Sequence, residues 1–146
     1  MYKHILLPTD GSELSENAVK NGIMLAKSIG AKVTGLFVAP QFHLTVYDDW
    51  VVEPMLQPEF EEKARKQAQQ RLAAIESAAK AAGVACDVVH GISDSPYEMI
   101  IKTAEERGCD LIFMASHGRR GIAGLLLGSE TTKVLTHTKI PVLVYR

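Results

Sequence analysis

Five short apolar runs alternate along the chain with four longer stretches of helical character. The runs at residues 3–8 (KHILLP), 32–38 (KVTGLFV), 84–90 (VACDVVH), 110–115 (DLIFMA) and 141–145 (PVLVY) are short and dominated by apolar residues. Strands of this kind suit a sheet covered on both faces, and the first is expected to close at Pro8. After it, Leu14, Ala18, Ile23, Leu25, Ala26 and Ile29 recur at near-helical spacing and stop at Gly30. Residues 59–82 are rich in Ala, Glu, Lys, Arg and Gln, all strong helix formers, and Gly83 ends them. Ser95-Pro96 opens a third helix with proline at its first position, and Arg107-Gly108 closes it. A short fourth helix is predicted from about Gly128 to Thr136. Residues 39–57 hold Pro40, Pro54 and Trp50 without a clean period, and read as a long loop of the kind that is functional or mobile.

This order predicts an α/β fold: one doubly wound, five-stranded parallel sheet with helices on both faces. The chain of 146 residues is the size of one domain, taken as residues 1–146, and shows no internal repeat. Ligands of such sheets bind beyond the carboxyl ends of the strands, where the strand order reverses. The loops after the first and fourth strands carry the unusual chemistry. The reversal is therefore placed between those strands, giving the order 3-2-1-4-5.

Composition removes several alternatives. A net charge of -1 gives no electrostatic reason to expect nucleic acid or an anionic membrane as partner. No apolar run reaches the length of a membrane span, and the opening MYKHILLP is too short for a signal peptide. Cys86 and Cys109 form no CxxC pair and read as buried thiols in a reducing compartment. The expected location is the cytoplasm. His4, His43, His90 and His137 have no metal-ligand spacing, and no side-chain metal site is expected.

The loop after the fourth strand suits phosphate. Gly118, Gly121, Gly124 and Gly128 let the backbone approach a ligand without Cβ clashes. Gly128 and Ser129 lie where a helix begins, and a helix N-terminus offers unpaired N–H groups to an anion. Arg119 and Arg120 add positive charge at the rim. A side chain at Gly128 is expected to intrude on the phosphates with the fold left intact. The plainer reading is a surface loop with glycines for ordinary turns. Asp10, at the end of the first strand, is placed to accept ribose hydroxyls, or else it or Ser12 caps the next helix. His117 is expected to pack in the loop or touch phosphate, with no partnered nucleophile to make it catalytic. Neither G-x-x-x-x-G-K-[ST] nor G-x-G-x-x-G follows the first strand.

At these residues the chain resembles the universal stress protein family, over its whole length. The resemblance is carried by ILLPTDGSELSENAV, by the LFV of the second strand and by LIFMASHGRRGIAGLLLGSETTKVLTHTKIPVLVYR. The family's nucleotide-binding branch has Gly, two residues, Gly, nine residues, then Gly and Ser or Thr. Gly118, the nine-residue spacer and Gly128-Ser129 match it, with Ala115 at the first glycine. The resemblance implies an adenine and ribose pocket lined by Pro8, Thr9, Asp10 and Val38. It implies phosphates held by Ser116, Gly118, Gly128 and Ser129, with Mg²⁺ or Mn²⁺ carried on them. Met114, Ala115, His117, Arg119, Glu130 and Thr131 complete the expected nucleotide-binding set. Homodimers through the last strand are also implied, here Pro141, Val142, Leu143, Val144 and Tyr145, an apolar edge that would otherwise invite uncontrolled pairing.

The expected function is therefore an ATP- or AMP-binding stress-response or regulatory protein acting as a nucleotide-sensitive homodimer. The alternatives are a slow ATP hydrolase, for which no base and positioned water stand out, and a nucleotide-free stress protein that binds partners.

Overall fold

The computed structural model describes residues 1–43, 57–118 and 126–146. Along the chain it has β1 (His4–Thr9), α1 (Glu13–Ile29), β2 (Lys32–Ala39), α2 (Gln57–Ala82) and β3 (Cys86–Ile92), then α3 (Pro96–Glu106), β4 (Leu111–Ala115), α4 (Ser129–His137) and β5 (Val142–Tyr145). All strand pairs are parallel, in the order β3-β2-β1-β4-β5 expected from a reversal between the first and fourth strands. Trp50, Arg119 and Arg120 lie outside the described residues.

Successive strand residues feed two cores, which is why the strands read as continuous apolar runs. Ile5, Leu7, Val33 and Phe113 pack with Ala18 and Ile23 of α1 and with Leu72 and Ile75 of α2. Leu6, Leu36, Ile112 and Met114 pack with Ile100 and Ala104 of α3 and with Val134 of α4. Each fully buried Ile, Leu or Val contributes roughly 1.5–3 kcal/mol relative to exposure.

The element boundaries differ from expectation where tertiary contacts intervene. The third strand starts at Cys86 rather than residue 84, because the Val84 N–H donates to Ala79 O (2.9 Å) and finishes the end of α2 at Gly83, whose φ is 74°. It then runs to Ile92, which pairs with Ala39. The second helix starts at Gln57, with Pro58 in its first turn, where no intrahelical N–H is lost. Cys86 is half-buried rather than buried.

Pro8 lies inside β1 instead of closing it. The carbonyl of Lys3 accepts from Lys32 of β2, and that of His4 accepts from Asp110, beside β4. Backbone groups alternate sides along a strand, so Pro8 turns the same way as His4, toward β4. There the β1–β4 ladder ends at the Leu6–Ile112 pair, while the β1–β2 ladder continues to Thr9–Phe37. Pro8 has no N–H to offer β4, and the β1–β4 ladder stops just before it, while the pairing with β2 is unaffected.

Candidate functional site

A cavity of about 880 Å³ lies over the carboxyl ends of β1, β2 and β4, where β1 and β4 part. That volume is in the range of small-molecule sites. Pro8, Thr9 and Asp10 form its β1 wall and Val38 its β2 wall. Met114, Ala115, His117 and Gly118 line it from β4 and the loop that follows. Gly128, Ser129, Glu130 and Thr131 line it from the start of α4. Of the sequence-predicted set, Arg119 is outside the described residues. Ser116 is 2% exposed and stands behind the lining.

The described ends of the loop are tied to β5 and to α4. Ser116 donates its N–H to Tyr145 O (2.7 Å), and its carbonyl accepts the Gly128 N–H (2.6 Å). The Thr131 hydroxyl donates to Ala115 O (2.9 Å) and pins the first turn of α4 to the end of β4. Ala115 itself sits in extended backbone, where a methyl group fits, and that methyl belongs to the core under α1. The glycine expected at this point of the pattern is thus replaced without a clash. His117 Nδ1 and Ser116 Oγ share a 3.2 Å hydrogen bond.

Helices α1, α3 and α4 begin at the cavity and are capped differently. At α1 the Ser12 hydroxyl accepts the Ser15 N–H, while Asp10 Oδ1 accepts the Ser12 N–H (2.9 Å) and the Ser15 hydroxyl (3.0 Å). Ser12 therefore caps the helix, and Asp10 fixes that cap while lining the cavity. At α3, Ser95 makes no side-chain cap, but Glu130 Oε2 accepts the Tyr97 N–H (2.9 Å). At α4 the cap residue is Gly128, which has no side chain to offer, and the first-turn residues face the cavity. An uncapped helix start is a place for an anion.

Sequence reasoning missed two further walls. Phe60, Lys63, Ala64 and Gln67 enter from the start of α2, and Ser93, Asp94 and Pro96 from the β3–α3 loop. The first lies on a helix the sequence places, but nothing in its composition marks which of its residues reach the cavity, and nothing in the local sequence marks the second. Asp94 pairs with His43 and accepts the Gln41 N–H (3.0 Å). These two interactions, His43 first, hold its carboxyl below the ordinary range.

The thiols have no part in this chemistry. Burial pushes Cys109 up to about 11, so it stays protonated at neutral pH. Among the described residues no group of three or more His, Cys, Asp or Glu is placed to hold a metal ion. No helix among them is long and apolar enough to cross a membrane.

The family model of the universal stress protein family matches residues 1–146. The chain belongs to that family. Universal stress protein MJ0577 of Methanocaldococcus jannaschii is 32% identical over 159 residues, covering 100% of this chain and 96% of that protein. Its solved structure superposes with a TM-score of 0.83 over 99% of this chain and 96% of the other. A universal stress protein solved in complex with cAMP has a TM-score of 0.71 at 23% identity, covering 99% and 97% of the two chains. One from Archaeoglobus fulgidus in complex with dAMP has a TM-score of 0.68 at 18% identity, covering 99% and 98%. At those identities the likeness to the two complexes is one of fold. This universal stress protein shares their fold, and its cavity lies at the switch point of its own sheet.

Proposed function

We propose that this universal stress protein binds an adenine nucleotide, ATP or AMP, in the cavity over β1, β2 and β4. The observation that carries the reading is the uncapped start of α4 at Gly128, opening on the cavity opposite Gly118. Phosphate oxygens would accept the first-turn N–H groups and the Ser129 hydroxyl, with the helix dipole adding to the attraction. Pro8, Val38 and Met114 offer an apolar seat for the base. Asp10 offers a carboxylate for a ribose hydroxyl from the β1 side of the cavity. Glu130 and Thr131 contribute backbone N–H groups, since their side chains serve Tyr97 and Ala115. Mg²⁺ or Mn²⁺ would be carried by the phosphates. The cAMP and dAMP complexes of fold neighbours support an adenosine phosphate as the ligand class.

The same reading makes the protein a nucleotide-responsive homodimer through β5. That strand is an edge of the sheet, and Leu143 on it is 38% exposed. The test is calorimetry with AMP and ATP on the purified protein, together with chromatography of any nucleotide released on denaturation. Micromolar binding or a co-purified adenine nucleotide is expected. Absence of both overturns the nucleotide reading. Sedimentation of the same sample with and without nucleotide is expected to give a dimer, and a monomer in both conditions overturns the assembly.

A further inference from the structure

The wall supplied by α2 is built from one helical stripe. Phe60, Lys63, Ala64 and Gln67 stand at i, i+3, i+4 and i+7, so the first turns of α2 present a single face to the cavity. Farther along, Ala68, Leu72 and Ile75 of the same helix are buried on the sheet. The start of the helix is anchored by Phe60 against Phe42, with ring centroids 5.4 Å apart. Lys63 is therefore set on a packed element and lines the cavity from it.

The neighbouring cations Arg65, Lys66 and Arg71 of α2 are already paired. Arg65 pairs with Glu62 at 2.7 Å, Lys66 reaches the same carboxylate at 3.7 Å, and Arg71 pairs with Glu16 of α1. The carboxylates lining the cavity are engaged as well: Asp10 by Ser12 and Ser15, Asp94 by His43 and Gln41, Glu130 by Tyr97 and Lys133. Among the described residues, Lys63 is the one Lys or Arg in the lining, and no carboxylate lies within ion-pair distance of it. It is also exposed, so meeting a ligand requires no protein pair to be broken.

The geometry points to Lys63 as a specificity-determining residue. Its ammonium pairs with a phosphate of the bound nucleotide and makes the site prefer nucleotides over the corresponding nucleosides. This deepens the nucleotide reading above and rests on it. The α4 start supplies neutral donors to the phosphate, and Lys63 supplies a full charge from the opposite helix layer.

The experiment is calorimetry with AMP and with adenosine on the wild type, Lys63→Met and Lys63→Arg. Methionine keeps the stem and removes the charge. Expected is about a tenfold loss of AMP affinity in Lys63→Met, with adenosine affinity unchanged and Lys63→Arg close to wild type. Added salt should weaken AMP binding more in the wild type than in Lys63→Met. Equal AMP affinity in wild type and Lys63→Met overturns the role of Lys63 and leaves the nucleotide reading standing. Equal losses for AMP and adenosine also overturn it, since Lys63 would then act through packing. A wild type that binds neither ligand overturns the nucleotide reading and this inference with it.

Discussion

Gly118 and Gly128 both resist larger residues, for different reasons. A Cβ on Gly118 would overlap Asp10 Oδ2, and that carboxylate is tied to the Ser12 N–H and Ser15 hydroxyl. A Cβ on Gly128 would lie 3.1 Å from the Cα of His117 and 3.3 Å from Ser116 O. It meets the loop backbone, so a side chain there presses on the protein itself as well as on any phosphate bound beside it. Gly128→Val must push back the Ser116–His117 backbone, beside the hydrogen bond from the Gly128 N–H to Ser116 O. We expect Gly128→Val to lose roughly 1–3 kcal/mol of stability by overpacking and at least about tenfold in AMP affinity. Gly118→Ala should lose comparable affinity by displacing Asp10, at a smaller cost of about 1 kcal/mol. Urea unfolding and calorimetry separate the two. Gly128→Val with unchanged stability would refute the backbone clash. The spacing of these glycines was legible in the sequence, but which atoms they clear was not, because those atoms come from β1 and from residues ten or more positions away.

At the level of elements, α3 and α4 are coupled by a borrowed cap. Ser95 leaves α3 without a side-chain cap, and Glu130 of α4 supplies the acceptor to the Tyr97 N–H. The Tyr97 ring packs 5.2 Å from the His137 ring and 5.4 Å from Lys133 Nζ, along the same face of α4. Glu130→Ala is expected to cost about 1 kcal/mol, the usual loss of an N-cap, read by chemical denaturation. AMP affinity should not fall, because the lost carboxylate is a like-charge neighbour of the phosphate. A large loss of affinity would mean that the Glu130 side chain binds the ligand. Ser95-Pro96 announced the start of α3 in the sequence, but its cap comes from 33 residues away. Helix interiors show the same limit. Gly22 sits mid-helix, where glycine costs about 1 kcal/mol against alanine, and periodicity gives no reason for it. Its reason is packing: a Cβ there would collide with Leu7 of β1 and crowd Phe113 of β4. Gly35 of β2 does the same for α2, since a Cβ would come within 2.9 Å of Ile75.

For the whole molecule, two titratable groups tie stability to pH in separate windows. His4 is 4% exposed and hydrogen-bonded to Thr34 Oγ1 at 2.7 Å. Burial first, and then Lys32, lower its pKa below 6.5. The unfolded chain therefore takes up this proton more readily than the folded one. The contribution is fully present above about 6.5 and is lost as pH falls toward the folded value. Asp110 acts at lower pH. Burial opposes its ionisation, but the N–H groups of His4 and Lys3 outweigh that and keep it below 3.8. Its stabilisation is present above the ordinary carboxylate pKa and disappears as pH falls through the lowered one. Unfolding free energy measured between pH 7 and 5 should decline in the wild type and be flatter in His4→Gln. Parallel slopes would show that His4 is not the titrating group.

Local chemistry determined the elements, their alternation and the layers. Apolar strands flanked by helix starts and glycine stops leave a parallel sheet covered on both faces as the stable arrangement. The glycine spacing and the Pro8–Asp10 turn located the site at the sheet's reversal, because such turns must project beyond the carboxyl ends of the strands. Only the tertiary structure decided what the site is made of in detail. The α2 stripe with Lys63, the Asp94 loop, the Glu130 cap and the clash partners of Gly118 and Gly128 all join residues distant in the chain. Short-range periodicity records which face of an element is buried. It carries no record of which distant side chain that face will meet.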